Sequence, residues 1–180
     1  MVTKILKTAS IVLVLLTLWG CPLESRICRS PQFKIPDLIS VVPMDSVYHV
    51  GDEIIYTAVI PSSIDSLDID IYEDTGVTST WLRGSEIHKF DGNNINVIKG
   101  FTRRLDYDNS LQAYLTYNPT DKVYEFQARI TFTQPDEYRI SPYSMRIDFK
   151  SENHECPLYE IKTNIQNSGI EYYWEFRVVP

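Results

Sequence analysis

Three histidines, His49, His88 and His154, are the side chains best suited to act as general bases or metal ligands near neutral pH. A catalytic nucleophile needs such a base beside it. None of the three sits in a Gly-x-Ser-x-Gly elbow, a phosphate-cradling glycine loop or a His-Glu-x-x-His zinc motif. His154-Glu155-Cys156 strings together three ligand types, but adjacent side chains diverge, so no metal site is expected there. The acidic series Asp65, Asp68, Asp70, Glu73 and Asp74 offers the oxygens that calcium prefers. It breaks the calcium-loop pattern, because Tyr72 stands where a third oxygen ligand belongs and no glycine follows. Leu67, Ile69 and Ile71 alternate with Asp68 and Asp70, which reads as a strand with a wet face. Asp106-x-Asp108-Asn109 and Asp91-Gly92-Asn93-Asn94 read as turns. Glycoside hydrolysis needs two carboxylates at a set separation, and the linear order selects no pair. Trp81, Tyr143 and Tyr173 are candidates for stacking on sugar rings, against their commoner use as core or cross-strand partners. No cofactor is expected.

The elements that must hold these residues follow a period of mostly two. Leu38–Val42 reads as a first strand ended by Pro43. Gly51-Asp52 is a turn signal, since glycine allows positive φ and aspartate caps nearby amides. The strand after it, Glu53–Ile60, is apolar on both faces, as a strand buried on both sides would be. Leu111, Ala113, Leu115 and Tyr117 share a face, and Asn118-Pro119-Thr120-Asp121 supplies a turn. Tyr124, Phe126, Ala128, Ile130 and Phe132 then alternate with Glu125, Gln127, Arg129 and Thr131, the cleanest amphipathic strand in the chain. Pro135-Asp136 leads into Glu137–Ser141, and Met145, Ile147 and Phe149 form the next face. Tyr159–Ile165 and Ile170–Val179 flank Asn167-Ser168-Gly169 and predict a hairpin. In its second arm Ile170, Tyr172, Trp174, Phe176 and Val178 point inward. Residues 73–110 hold Gly76, Gly84, Gly92 and Gly100 and read as loops, short irregular strands or a small helix. Many short strands with turns every 8–12 residues or so predict an all-β, antiparallel sandwich.

The first twenty residues differ from all of this. Lys4 and Lys7 precede a nearly unbroken apolar run from Ile11 to Trp19. The run fits the apolar core of a signal peptide and falls short of the roughly 20 residues a membrane-crossing helix needs. It ends in Leu18-Trp19-Gly20-Cys21. These residues resemble the lipobox of bacterial lipoproteins: a large aliphatic residue, a variable one, a small one, then cysteine. The resemblance implies cleavage between Gly20 and Cys21, a diacylglycerol on the Cys21 sulfur and acylation of the new amine. Two buried acyl chains suffice for stable anchoring. No aspartate follows Cys21, which favours the outer membrane by the enteric sorting pattern. The whole chain resembles small lipoproteins of Bacteroidetes-type bacteria.

The domain plan is therefore a leader over 1–20, a lipidated N-terminus and extended strap over 21–36, and one sandwich domain over 37–180. Pro22, Pro31 and Pro36 keep the strap irregular. Removing the leader takes away Lys4 and Lys7 and no acid, leaving 15 basic against 24 acidic side chains, or −9. That balance argues against nucleic acid as a partner. With Cys21 lipidated, Cys28 and Cys156 remain for a disulfide in an oxidising compartment. Its loop of over 100 residues would be worth about 4.7 kcal/mol in the chain-entropy model. The alternative is two unpaired thiols.

Tyr-x-Val-Gly-Asp-x-Ile at Tyr48–Ile54 resembles the early strands of immunoglobulin-like domains in bacterial surface proteins. Pro135-Asp136-Glu137-Tyr138-Arg139-Ile140 resembles the entry to a late strand of the same fold, with Tyr138 as a tyrosine corner or an ordinary strand tyrosine. The expectation is a non-catalytic cell-envelope binding or scaffolding module, held to the membrane by its lipid and meeting an envelope protein or a glycan. The competing classes are a small envelope enzyme such as a glycan hydrolase, and a surface adhesin or subunit of an envelope complex.

Overall fold

The structure is a computed structural model, and it describes residues 31–83, 94–104, 111–140, 146–149, 158–167 and 174–180. The body is the expected all-β sandwich of open, mostly antiparallel sheets. In chain order its elements are β1 (Gln32–Lys34), β2 (Ile39–Val42), β3 (Val47–His49), β4 (Glu53–Pro61), β5 (Ser63–Ile64) and β6 (Ile69–Asp70). The single-turn helix α1 (Ile71–Thr75) follows, then β7 (Ser79–Arg83), β8 (Ile95–Lys99), β9 (Phe101–Arg104), β10 (Leu111–Asn118) and β11 (Val123–Thr131). The last four are β12 (Asp136–Ile140), β13 (Arg146–Phe149), β14 (Tyr159–Lys162) and β15 (Trp174–Val179).

The backbone of the fold is the β4–β11 ladder, which runs nine rungs from Glu53–Thr131 to Pro61–Val123. Alternation dictates what it buries. Ile54, Tyr56, Ala58 and Ile60 of β4 and Tyr124, Phe126, Ala128 and Ile130 of β11 all face the core. Each large side chain so placed contributes about 1.5–3 kcal/mol relative to exposure. The opposite face of β4 is only half covered, with Val59 exposed, so β4 is buried on one side rather than two. Its apolar outer residues are β-branched and suit the pleat without needing a cover.

The large sheet has the order β1-β14-β13-β7-β10-β11-β4-β2. β10 and β11 form a hairpin only near their turn, where Asn118 accepts the Thr120 and Asp121 amides at 3.0 and 3.3 Å. Beyond Thr116 and Glu125 the two strands part. β9 pairs with β10 and β8 with β11, so residues 95–104 enter the fork as a wedge. Gly100 sits at the fork with φ +75°. Its backbone lies so close to the Tyr114 carbonyl that a Cβ would collide with it, and with the Phe126 ring at 3.0 Å and the Glu125 carbonyl at 3.2 Å.

The sheet curls. β11 and β13 are three strands apart, about 14 Å on a flat sheet, yet the Tyr124 and Phe149 rings meet edge to face with centroids 4.8 Å apart. The two ends of the sheet approach each other at Ile39, which bridges to Ile165. A polar clasp secures the approach. The Asp37 amide donates to Asn164 Oδ1 at 3.1 Å, Asn164 Nδ2 donates to Asp37 Oδ1 at 2.9 Å, and Gln166 N donates to the Ile39 carbonyl at 2.7 Å.

The small sheet, β12-β15-β3, docks through rings. Phe132, just past β11, lies 4.9 Å from Tyr48, 5.3 Å from Phe176 and 5.7 Å from Tyr138. Both tyrosines satisfy their hydroxyls on nearby backbone. Tyr48 Oη donates to the Pro43 carbonyl at 2.7 Å and accepts from the Asp45 amide at 2.8 Å. Tyr138 Oη donates to the Gln134 carbonyl at 3.0 Å, four residues upstream, the bond of a tyrosine corner.

Two sequence expectations are corrected. The 67–71 alternation is not one continuous strand: only Ile69–Asp70 is extended, as the two-residue β6. Asp65–Leu67 form a 3-10 turn closed by Asp68 in the left-handed region, and Asp70 is the N-cap of α1. Polar caps beside apolar first-turn residues imitate a period of two over so short a span. The hairpin across Asn167-Ser168-Gly169 does not form either. β14 joins the large sheet beside β13, and β15 joins the small sheet between β12 and β3. Asn167 does adopt positive φ, +63°. Gln32–Lys34, at the end of the extended strap, pairs parallel with Glu160–Lys162.

The Asp70 cap carries a measurable charge. Its Oδ1 accepts from Ser62 Oγ at 2.6 Å and from the Tyr72 and Glu73 amides at 3.1 and 3.2 Å. The bond from Ser62, and then those from the two amides, hold its pKa below the ordinary carboxylate value. A lowered folded-state pKa stabilises the protein above the unfolded-state value and loses that contribution as pH falls through the folded-state one. We expect Asp70→Ala to cost about 1 kcal/mol near neutral pH. Asp70→Asn, which keeps the cap oxygen but cannot ionise, should trail the wild type at neutral pH and converge on it as pH falls below the ordinary carboxylate value. Urea midpoints at several pH values measure both; a constant gap down to pH 2 would refute the charge assignment.

Candidate functional site

The residues with recognition chemistry gather on the outer face of half the large sheet, over β9-β10-β7-β13-β14-β1. The core face of these strands is fixed by Ala113, Leu115, Thr80, Leu82, Phe149 and Ile161, all buried. Residues one position away lie on the opposite face of the sheet, which is exposed at Phe101 and covered at Asp148 and Glu160. Two cross-strand rows result. In the first, Phe101 pairs with Tyr114 and Tyr114 with Trp81; one step further across, Asp148 pairs with Glu160 and Glu160 with Gln32. In the second, Arg103 pairs with Gln112, and Arg83 with Arg146, Arg146 with Lys162, and Lys162 with Lys34.

The aromatic row is a stack. The Phe101 and Tyr114 rings lie 4.6 Å apart at 11°, with the Arg103 guanidinium 5.5 Å from the Tyr114 centroid. Phe101 remains 39% exposed, which the interior does not require of a phenylalanine. The basic row sets four cationic positions side by side, and like charges directly opposite one another are destabilising. Asp148 and Glu160, one register away and buried, supply two compensating charges. Lys162 Nζ lies 3.9 Å from Glu160 Oε1 and donates to Gln32 Oε1 at 3.2 Å, while Gln32 Nε2 donates to Glu160 Oε2 at 3.1 Å. Thr80 Oγ1 donates to the Asp148 carbonyl. Lys34, Lys162 and Arg103 are exposed.

A concavity of about 550 Å³ opens on the small sheet. Exposed Val47, Glu137, Glu175 and Arg177 surround a floor that includes Tyr138 and Phe176. Its two carboxylates outnumber its one guanidinium.

Of the sequence candidates, Trp81 alone falls on the aromatic row; Tyr143 and Tyr173 lie outside the described residues. Gly20, Cys21, Cys28, Cys156, His88, His154 and Glu155 also lie outside them. His49 is exposed at the end of β3, its amide donating to Asp52 Oδ2 at 2.7 Å. The acidic series serves local structure. Asp65 accepts from Ser63, Asp70 caps α1, and Asp74 Oδ2 accepts from Tyr159 Oη at 2.7 Å. Burial, and then this bond, push the Tyr159 hydroxyl up to about 12. Among the described residues, no group of three His, Cys, Asp or Glu side chains is placed to hold a metal ion. Phe101 and Tyr114 escaped the sequence reading. Their signal was present: each is a large aromatic residue at an outward position of an alternating strand.

Comparison of the chain with protein-family models, with curated proteins and with solved structures finds no match. Fold and face alone therefore define its class: an open all-β sandwich with an aromatic and cationic sheet surface.

Proposed function

We propose that this chain is a cell-envelope lipoprotein, anchored through Cys21, that acts as a non-catalytic binding module through the outer face of its large sheet. The observation that carries the binding role is the exposed Phe101 ring stacked on Tyr114, with the Arg103 guanidinium over Tyr114 and Trp81 next in register. The lipobox-like Leu18-Trp19-Gly20-Cys21 supports the location and the outer membrane as destination. The test is a pull-down of the tagged protein from its own envelope after feeding a palmitate analogue. Label should appear in the wild type and vanish in Cys21→Ser, and a partner retained by wild type should be lost in Trp81→Ala/Tyr114→Ala. An unlabelled product with Met1 intact would overturn the anchoring. Equal retention by the aromatic variant would overturn the face.

One observation favours a second reading, a small envelope glycan hydrolase. Asp148 and Glu160 stand directly opposite each other on β13 and β14, in the row that continues from Trp81. Cross-strand Cβ atoms lie about 4.5–5.5 Å apart, so the pair meets the first requirement of a retaining hydrolase, two neighbouring carboxyl groups, and because both are buried a substrate would have to uncover them. Glycan turnover abolished by both Asp148→Asn and Glu160→Gln would decide for it.

A further inference from the structure

We infer that the concavity on the small sheet is a second binding site, one that takes a lysine-bearing peptide segment. It lies on a different sheet from the aromatic face and stands independently of it. Its volume, about 550 Å³, is that of a small-ligand site. Tyr138 and Phe176 turn inward, so Glu137, Glu175, Arg177 and Val47 stand on the solvent side, all exposed. Glu137 is directly opposite Arg177 on β15, and Arg177 is opposite Val47 on β3. Glu175, two residues before Arg177, is therefore diagonal to Glu137, at about 7–8 Å. Among the described residues, neither carboxylate nor the guanidinium has an ion-pair partner. All three charges are available to a ligand. Beneath them the floor is stiff. The Tyr138 and Phe176 rings stack at 5.5 Å and 11°, Tyr138 Oη is bonded to the Gln134 carbonyl, and Phe176 packs on Tyr48 and Phe132. Binding on such a floor costs little ordering of the backbone.

The charges choose the ligand. Two carboxylates against one guanidinium favour a cation, and the chain's formal charge of −7 draws cations from a distance. An ammonium group between Glu137 and Glu175 has an acceptor on either side. The methylenes of a lysine lie over Val47, which is 44% exposed. Arg177, at the centre, donates to a carbonyl oxygen, which a peptide supplies and a simple amine lacks. Topology sets where this site points. β4, β11, β10, β7, β13 and β14 alternate in direction. β14 and the parallel β1 thus run with β11, towards its Thr131 end. The small sheet is at that same end, because β3 lies within residues 43–52, which leave β2 and enter β4 there. The chain therefore enters β1 at the end opposite the concavity, which is turned outward in a body held by its N-terminus.

Amide chemical-shift titration of the isotope-labelled full chain in mild detergent tests the site. The probes are acetyl-Ala-Lys-Ala-amide, the same peptide with glutamine in place of lysine, and n-butylammonium. We expect the lysine peptide to shift the Glu137, Glu175 and Arg177 amides saturably, with an affinity that falls as salt rises. The glutamine peptide and n-butylammonium should each bind several-fold more weakly. Glu137→Gln/Glu175→Gln should weaken the lysine peptide about tenfold, the upper end for two exposed charge pairs, with the amide spectrum of the core unchanged. Asp68→Asn/Glu73→Gln removes the same charge from exposed positions around α1 and should leave the affinity as it is. Equal loss in that control would overturn the site in favour of the general acidity of the surface. Equal binding of the lysine and glutamine peptides would overturn the charge recognition, and n-butylammonium binding as tightly as the lysine peptide would overturn the peptide assignment. Unmoved amides at Glu137, Glu175 and Arg177 would overturn the site itself.

Discussion

Gly100→Ala should be among the most damaging single-methyl changes in this protein, costing about 2–5 kcal/mol. A non-glycine residue at φ +75° costs about 1–2 kcal/mol. Forcing a methyl group against two backbone carbonyls and the Phe126 ring adds about 1–3 kcal/mol of overpacking. Gly76 supplies the control. It ends α1 at φ +65° with open space where a Cβ would go, so Gly76→Ala carries the conformational cost alone, about 1–2 kcal/mol. Urea denaturation of the two variants compares strain with strain plus collision. Equal losses would show that the fork tolerates a methyl group and that the wedge is looser than described.

Phe132→Ala should match it by a different route, at about 3–5 kcal/mol for an emptied aromatic site. The side chain is 1% exposed and touches the rings of Tyr48, Tyr138 and Phe176. These belong to all three strands of the small sheet, so the cavity opens along the seam between sheets. Phe132→Leu, which keeps most of the volume, should lose about 1–2 kcal/mol, chiefly the ring contacts. Near-ultraviolet circular dichroism checks the location: the alanine variant should lose aromatic ellipticity with its far-ultraviolet spectrum retained. An intact near-ultraviolet band would place the docking elsewhere.

What could be read directly in the chain was local. The run Tyr124–Phe132 announced β11 because each buried residue is large and apolar and each outward one polar. Gly51-Asp52 announced its turn, and there Gly51 takes φ +98° while Asp52 caps the His49 amide. Sheet membership was not legible. Tyr159–Lys162 and Trp174–Val179 look like hairpin partners by spacing, yet their hydrophobic faces are claimed by different neighbours, Ile147 and Tyr138 in register. The candidate face was legible only in pieces. Trp81 was singled out by type, but its row is completed by Tyr114 and Phe101 from other strands, and the cations come from 34, 83, 146 and 162. Register between strands so distant in sequence is set by tertiary packing, which no window of the chain contains.

The forked hairpin places a demand on the order of events during folding. β10 and β11 are joined by four residues and can zip early, since short-range contacts form before distant ones. If zipping runs past Thr116 and Glu125, Leu111–Leu115 and Phe126–Ile130 satisfy each other's hydrogen bonds, and the places of β8 and β9 are taken. The native chain must therefore halt that zipper part-way, or undo it, before residues 95–104 can slide in. Refolding is thus a race between a nearby partner and the native one for the same strand edges.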